Sequence, residues 1–265
     1  MTAADDFLRI RDYTFKSRLI VGSGKYRDYD EMLACWDAAG VDLVTVALRR
    51  VDLEHAKEER NLIDVIDRER YTILPNTAGC YNVEDTLRTA RMARELGLGD
   101  LIKLEVIADE QTLLPDTSAT VEATRILAAE GFVVLAYTND DPVVARTLEE
   151  AGAAAVMPLG APIGSGLGIL NPTNIKIILS RATVPIIVDA GVGTASHVAV
   201  AMELGIDAVL LNTGIAKANV PVAMARAMRS ACEAGRLAWQ AGRMPARSYE
   251  APASPSSPAE GRFTS

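Results

Sequence analysis

Eight short apolar segments alternate along this chain with eight longer amphipathic segments, and this alternation constrains the fold more than any other feature. The apolar segments are residues 18–23, 43–48, 71–76, 101–107, 132–138, 153–159, 184–190 and 207–213. They are rich in β-branched residues and almost continuously apolar, as expected of parallel strands covered by helices. The amphipathic segments predict helices over residues 28–39, 58–69, 83–96, 118–130, 141–151, 172–181, 195–204 and 220–241.

This order of elements predicts an α/β fold with parallel strands. A doubly wound open sheet uses the same alternation, but eight units rather than five or six favour a (β/α)8 TIM barrel. We expect a single barrel domain over residues 1–244, with a short N-terminal extension. Within it, residues 7–15 ("FLRIRDYTF") predict a hairpin that closes the bottom of the barrel. Residues 245–265 are rich in Pro and Ser and predict a disordered tail.

Composition excludes several classes of function. A net charge of −8 argues against a nucleic-acid surface, which requires a basic field. Only two histidines are present, which excludes a His-rich metal site and argues against a His-centred triad. The three cysteines show no CxxC spacing and fit a reducing compartment. Neither a membrane-length apolar run nor a signal peptide is evident, so we expect no membrane contact and a cytoplasmic location.

Glycine-rich sequence follows three of the predicted strands. These stretches are residues 160–168, 190–193 and 212–214, the last two at the ends of strands seven and eight. Active sites of (β/α)8 barrels are built from the loops at the C-terminal ends of the strands, and phosphate is often bound after strands seven and eight. Glycine also lets backbone N–H groups approach a ligand closely. The pattern predicts a phosphate-binding site, although each loop alone could be an ordinary tight turn.

A lysine and a glutamate interrupt the fourth apolar segment, "LIKLEVI". Side chains alternate along a strand, so Lys103 and Glu105 point to the same side. They could form a structural ion pair inside the barrel. Alternatively, apolar surroundings could lower the pKa of Lys103 and make it a Schiff-base nucleophile, with Glu105 moving protons. Asp189 ends the seventh strand and could either be a second acid or base or hold the next helix.

Other polar residues at strand ends allow two interpretations each. Asn76 and Thr77, in "LPNTAGC", could bind a ligand or form a turn. Arg49 and Arg50 could bind an anion or pair structurally. Cys80 has no histidine near it in the sequence, so we interpret it as a small buried residue rather than a nucleophile.

Taken together, these motifs resemble one family, the thiazole synthases of thiamine biosynthesis. The matching strings run in order from about residue 15 to residue 245, and the C-terminal tail is expected to lie outside the resemblance. The strings are "VTVALRR", "LPNTAGC", "IKLEVI", "LLPD", "AVMPLGAPIGSGLGI", "VPIIVDAGVGTASHVAVAMELG", "VLLNTGIAKA" and "AGRLAWQAGRM". The resemblance implies a (β/α)8 barrel and a homo-oligomer.

The resemblance also implies substrates and roles for residues. The substrates are 1-deoxy-D-xylulose 5-phosphate, dehydroglycine and the C-terminal thiocarboxylate of a small ubiquitin-like sulfur-carrier protein. Lys103 matches the imine-forming residue, and Glu105 and Asp189 match the acid and base. The positions that match the phosphosugar-binding residues are Gly164, Ala190, Gly191, Asn212 and Thr213. We expect no metal and no cofactor, because the imine serves as the electron sink.

Two other functions remain open at this point. A Schiff-base aldolase would cleave a phosphosugar through the same lysine and would need no sulfur carrier. A non-catalytic barrel that binds a phosphate ligand would form no covalent adduct at Lys103. Fold alone does not decide between these functions.

Overall fold

The computed structural model describes residues 6–48 and 62–245. Strands in these ranges are β1 (Leu8–Ile10), β2 (Tyr13–Phe15), β3 (Leu19–Gly22), β4 (Leu43–Ala47), β5 (Thr72–Asn76), β6 (Leu101–Leu104), β7 (Val133–Thr138), β8 (Ala155–Pro158), β9 (Ile187–Asp189) and β10 (Ala208–Leu211). Helices are α1 (Tyr29–Ala39), α2 (Leu62–Val65), α3 (Val83–Glu95), α4 (Thr117–Ala129), α5 (Pro142–Glu150), α6 (Pro172–Leu179), α7 (Ala195–Glu203), α8 (Thr213–Ala216) and α9 (Pro221–Ala241).

Strands β3 to β10 form one parallel sheet that closes on itself. The hydrogen-bonded order is β8-β7-β6-β5-β4-β3-β10-β9. The two ends meet through isolated parallel bridges between Val156 and Ile186 and between Leu159 and Asp189. This closure confirms the predicted (β/α)8 barrel and excludes the doubly wound open sheet.

The N-terminal hairpin closes the bottom of the barrel, as predicted. β1 and β2 pair antiparallel, with Leu8 opposite Phe15. Leu8 and Phe15 are buried in the same apolar cluster as Leu43, Leu74 and Leu101, which fill the lower part of the barrel interior. Burial of this apolar surface fixes the hairpin to the barrel.

A cluster of three charged side chains holds the bottom of the barrel to the last helix. The Asp6 carboxylate accepts hydrogen bonds from Arg18, which precedes β3, and from Arg236 in α9. Arg18 also donates to the backbone oxygen of Asp207, just before β10. The pKa of Asp6 is lowered from 3.8 to about 2, chiefly by its hydrogen bonds to Arg236 and Arg18, although burial opposes them.

Five of the described helices, α1, α3, α4, α5 and α6, begin at side chains that accept hydrogen bonds from the first-turn amides. These N-cap residues are Asp28, Asn82, Asp116, Asp141 and Asn171. Helix α1 ends at Gly40, whose φ of 63° is left-handed and whose N–H donates to Trp36 and Asp37. Apolar faces of the helices pack on the outward-facing residues of the barrel strands, such as Val44 and Ile102.

The structure differs from the sequence predictions at a few places. The fourth barrel strand ends at Leu104 rather than at residue 107, so Glu105 lies just beyond it. The short helix α8 was not predicted. Of the predicted helix 58–69, residues 62–69 lie in the described ranges, and helix α2 ends at Val65 rather than at residue 69. Arg49, Arg50 and residues 246–265, with the predicted disordered tail, lie outside the described residues. No helix in the described part of the chain is long and apolar enough to cross a membrane.

Candidate active site

A cavity of about 570 Å³ opens at the C-terminal ends of the barrel strands. All of the predicted catalytic and substrate-binding residues line it: Lys103, Glu105, Gly164, Asp189, Ala190, Gly191, Asn212 and Thr213. They come from loops and strand ends far apart in the sequence. The predicted site residues therefore lie around one cavity, at the end of the barrel where active sites of this fold lie.

Lys103 lies between two carboxylates at the base of the cavity. Its Nζ is 2.9 Å from Glu105 Oε1 and 2.6 Å from Asp189 Oδ2. The exposed fractions are 5% for Lys103, 5% for Glu105 and 4% for Asp189. One ammonium and two carboxylates, all removed from water, form a cluster with excess negative charge. In such a cluster the protonation state of each group depends on the charges of the other two.

The pKa values of two groups in this cluster are raised. Burial alone would lower the pKa of the Lys103 ammonium, but the charges and hydrogen bonds of Asp189 and Glu105 outweigh it. The expected lowering of the lysine pKa is therefore wrong. Burial raises the pKa of the Asp189 carboxyl; Lys103 lowers it, and Glu105 raises it further. Asp189 is consequently a better proton acceptor than an ordinary aspartate.

Thr77 fixes the backbone of Glu105. The Thr77 hydroxyl donates to the Glu105 carbonyl and accepts from the Glu105 N–H, each at 2.8 Å. Thr77 is fully buried, and its own N–H donates to the Lys103 carbonyl at 3.2 Å. Strand β6 ends at Leu104. The Thr77 hydroxyl therefore supplies the hydrogen bonds to the Glu105 backbone that a neighbouring strand would otherwise supply. The turn in "LPNTAGC" thus orients the carboxylate that contacts Lys103.

Backbone packs against backbone where the loops after β8 and β9 meet. Ala190 and Gly191 have left-handed φ values of 73° and 80°. A Cβ on Gly191 would lie 2.4 Å from the Ala161 nitrogen, so no other residue fits there. The Gly168 N–H donates to the Gly191 carbonyl at 2.8 Å. This packing holds Gly164 and Gly191 at the cavity wall, where backbone rather than side chain faces a ligand.

The loop after β10 completes this wall. Asn212 donates from its side-chain amide to the Gly24 carbonyl at 2.6 Å. The Lys25 ammonium lies 3.0 Å from the Thr213 hydroxyl, and Lys217 also lines the cavity. These two lysines add positive charge beside the glycine-rich loops. Sequence analysis missed both; the signal for Lys25 was its place in "GSGKY" at the end of the first strand.

Mostly apolar side chains cover the cluster of Lys103, Glu105 and Asp189 on the side of β7. Tyr137 is fully buried with Ile107 and Leu159, and partly buried Leu113 packs against them. The Tyr137 ring centre lies 5.7 Å from Lys103 Nζ. Burial, followed by the charges of Asp189 and Glu105, raises the pKa of the Tyr137 hydroxyl, so Tyr137 stays neutral. These side chains keep bulk water away from Lys103 and strengthen its electrostatic interactions.

Two potentially reactive side chains near the cavity, Cys80 and His197, have structural contacts. Cys80 is buried, with its sulfur 3.4 Å from the Thr89 hydroxyl, and it does not line the cavity. His197 Nδ1 accepts a hydrogen bond from Gly193 N–H at 3.3 Å and so supports the loop after β9. Within residues 6–48 and 62–245, no group of three or more His, Cys, Asp or Glu side chains is arranged to hold a metal ion.

A closed parallel barrel, with an open cavity and buried charged residues at the C-terminal ends of its strands, has the architecture of the (β/α)8-barrel enzymes. The match to known proteins is more specific. The family model described as "Thiazole biosynthesis protein ThiG" matches residues 9–258. The chain belongs to this family, and it is an enzyme of thiazole synthesis in thiamine biosynthesis. The match extends past residue 245, so the expectation that the resemblance ends there was wrong.

Curated relatives carry the same assignment. Thiazole synthase of Thermodesulfovibrio yellowstonii is 61% identical over 98% of this chain and 100% of that protein. Thiazole synthase of Sorangium cellulosum is 60% identical over 97% of this chain and 98% of that protein. Family membership therefore decides against the aldolase and the non-catalytic barrel.

Solved structures agree on the fold. The crystal structure of the Amycolatopsis orientalis BexX/CysO complex matches with a TM-score of 0.81 and 36% identity, over 91% of this chain and 98% of that chain. An archaeal fructose 1,6-bisphosphate aldolase matches with a TM-score of 0.56 and 14% identity, over 87% of this chain and 98% of that chain. The second likeness supports the barrel alone.

Proposed function

We propose that this enzyme builds the thiazole phosphate from 1-deoxy-D-xylulose 5-phosphate, dehydroglycine and a sulfur-carrier thiocarboxylate, through an imine on Lys103. The observation that carries the proposal is the contact of Lys103 with both Glu105 and Asp189 in a buried cluster on the cavity wall. A lysine in such a cluster can lose its proton to a neighbour and attack a ketone.

The glycine-rich wall supports the assignment of the phosphate site. Gly164, Ala190, Gly191, Asn212 and Thr213 are the phosphosugar-binding residues in this proposal, and all line the cavity. Backbone N–H groups approach a phosphate closely where no side chain intervenes. The ammonium groups of Lys25 and Lys217 add charge that favours a dianion. With its phosphate at this wall, the sugar extends its ketone towards Lys103.

The proton transfers follow from the cluster. Asp189 takes a proton from the Lys103 ammonium, and the neutral amine attacks C2 of the sugar. The C2 oxygen receives this proton back from Asp189 and a second proton from the attacking nitrogen, and it leaves as water while a protonated imine forms. The imine acidifies the C3 hydrogen, and the Glu105 carboxylate removes it to give an enamine. Protonation at C2 and loss of the hydroxyl proton from the C3 oxygen then place the carbonyl at C3.

The later steps require two more reactants. The thiocarboxylate sulfur attacks C3, and the carrier later leaves as its carboxylate. Dehydroglycine then adds, and the ring closes with loss of water. The solved BexX/CysO complex supports a protein partner for this chain. A homo-oligomer and a cytoplasmic location complete the proposal, and the three cysteines, all free thiols, fit a reducing compartment.

Mass spectrometry after borohydride reduction tests the proposal. The protein is incubated with 1-deoxy-D-xylulose 5-phosphate and reductant, digested, and the adduct is located. We expect one reduced adduct, on Lys103, with no adduct in Lys103→Ala. Full thiazole formation by Lys103→Ala, or an adduct confined to another lysine such as Lys25, would overturn the proposed role. Carbon–carbon cleavage of the sugar without a carrier would instead indicate an aldolase.

A further inference from the structure

Two buried polar side chains beside Lys103 have no role in the function proposed above. Thr45 in β4 and Asn76 in β5 both line the cavity, with exposed fractions of 5% and 7%. The Asn76 side-chain amide donates to the Thr45 hydroxyl oxygen at 2.9 Å. Their neighbours on the same strand faces, Leu43 and Leu74, belong to the apolar cluster inside the barrel. Thr45 and Asn76 therefore point inward at the level where the interior becomes polar.

The orientation of the Asn76 amide is fixed by the backbone. Its Oδ1 accepts a hydrogen bond from the Ala78 N–H at 3.1 Å, so its Nδ2 must face Thr45. Thr45 is then the acceptor in that contact and keeps its own O–H proton. An amide nitrogen carries two protons, and one of those on Asn76 Nδ2 also remains. Neither proton has an acceptor among the described residues.

Register places these donors next to the lysine. Asn76 and Lys103 are partners across the adjacent parallel strands β5 and β6. Partners in a parallel sheet point to the same face and lie about 4.8 Å apart. A substituent of a ligand carbon bound to Lys103 Nζ can therefore lie on the side of Asn76 and Thr45. Because a buried donor without an acceptor is unfavourable, these two donors favour the binding of a ligand oxygen at this point.

We propose that Thr45 and Asn76 form a subsite that binds the oxygen on C3 of the sugar, the carbon next to the imine. This inference rests on the proposed function, which places C2 on Lys103. A hydroxyl oxygen and a carbonyl oxygen both accept from these donors, so the subsite fits the C3 oxygen before and after the carbonyl moves there. The subsite selects sugars that carry an oxygen at C3 and orients the C3 hydrogen.

The test compares two ligands on three proteins. The ligands are 1-deoxy-D-xylulose 5-phosphate and its analogue lacking the C3 hydroxyl, which keeps the C2 ketone and can still form an imine. The proteins are the unaltered enzyme, Thr45→Val and Thr138→Val. Thr138 is, like Thr45, a buried threonine in a barrel strand, but it does not line the cavity. Dissociation constants are measured by calorimetry, and Lys103 adducts by borohydride trapping.

We expect loss of the C3 hydroxyl to weaken binding roughly tenfold in the unaltered enzyme and in Thr138→Val, the order expected for lost hydrogen bonds. In Thr45→Val the penalty should fall to about threefold, because one of the two donors is lost while the Asn76 amide remains. An equal penalty in all three proteins would overturn the subsite while leaving the Lys103 adducts in place. Absence of any Lys103 adduct in the unaltered enzyme would instead remove the proposed function and the subsite with it. Should Thr45→Val fail to fold, Thr45→Ala provides the same comparison.

Discussion

Two clusters of three charged side chains lie at opposite ends of the barrel, with opposite arrangements of charge. At the bottom, the Asp6 carboxylate lies between the guanidinium groups of Arg18 and Arg236. At the mouth, the Lys103 ammonium lies between the carboxylates of Glu105 and Asp189. The bottom cluster is partly open to water, since the Asp6 side chain is 27% exposed, whereas the upper cluster is buried.

The difference shows why ion pairs of similar length serve different purposes. Two cations lower the pKa of Asp6 to about 2, so its proton is absent at any ordinary pH and the cluster stabilises the fold. In the upper cluster two buried anions compete for one cation, and the pKa of Asp189 is raised instead. Excess like charge and burial make that cluster costly to keep ionised and ready to transfer protons.

Replacing the central lysine should have the largest effect. Lys103→Met removes the proposed nucleophile, and we expect thiazole formation to fall roughly 10⁴- to 10⁶-fold, as when a covalent nucleophile is lost. Leu101→Met is the matched control, because it makes the same replacement two positions earlier on the same face of β6. Steady-state assays should find turnover retained there. Comparable losses in both variants would show that damage to the strand, and not loss of the amine, explains the result.

Neutralising the two carboxylates of the upper cluster one at a time should separate the role of Asp189 from that of Glu105. We expect Asp189→Asn and Glu105→Gln each to lower turnover by about 10²- to 10⁴-fold, the range for general acid–base groups. Asp189→Asn should also slow borohydride trapping. Glu105→Gln should still trap the sugar but lose exchange of the C3 hydrogen with deuterated water, measured by NMR. The reverse assignment of these two defects would contradict the proton transfers proposed for Asp189 and Glu105.

Removing the Thr77 hydroxyl should disturb the upper cluster without changing its charges. Thr77→Val leaves the shape nearly unchanged but frees the backbone of Glu105, so we expect turnover to fall by up to about 10²-fold. Because Glu105 acts after imine formation, C3 exchange should fall while trapping and the Michaelis constant change little. Thr77→Ser keeps the hydroxyl and should restore exchange. A Thr77→Val enzyme with normal exchange would show that Glu105 needs no such support.

Breaking the bottom cluster should affect stability alone. Asp6→Asn should cost about 1–2 kcal/mol in the free energy of unfolding, limited by partial exposure to water, with turnover unchanged. The pKa of Asp6 is lower in the folded chain than its ordinary 3.8, so its contribution is present above about pH 4 and is lost as pH falls towards about 2. Urea unfolding at pH 7 and near pH 2 should show the two proteins converging in acid.

The sequence alone was enough to single out the residues of the candidate site that depart from the pattern of their own segment. Lys103 stands out in an otherwise apolar strand, and the glycines of residues 160–168 and 190–193 stand out at strand ends. Thr45 does not, because a threonine in "LVTVAL" is an ordinary β-branched strand residue. The role proposed for Thr45 can be inferred only when the strands are placed side by side and Asn76 is found against it.

The direction in which the pKa of Lys103 is shifted could not be predicted from the sequence, for a similar reason. Apolar neighbours in "LIKLEVI" correctly indicated burial, which lowers the pKa of an amine. The opposing effect comes largely from Asp189, which lies on a strand that is distant in sequence and not hydrogen-bonded to β6. Such cross-barrel contacts depend on the closure of the sheet, and a strand pattern contains no information on their distance.

Asp6 and Arg236 are 230 positions apart, yet their side chains share two hydrogen bonds. Such a contact can form only after the chain has completed the ring of strands and α9 has docked. It should therefore be absent from the transition state for folding, since closing so long a loop early is entropically unfavourable. Interactions that form late slow unfolding and leave the folding rate almost unchanged. We therefore expect the bottom cluster to slow the unfolding of the finished barrel and so to add to its kinetic stability.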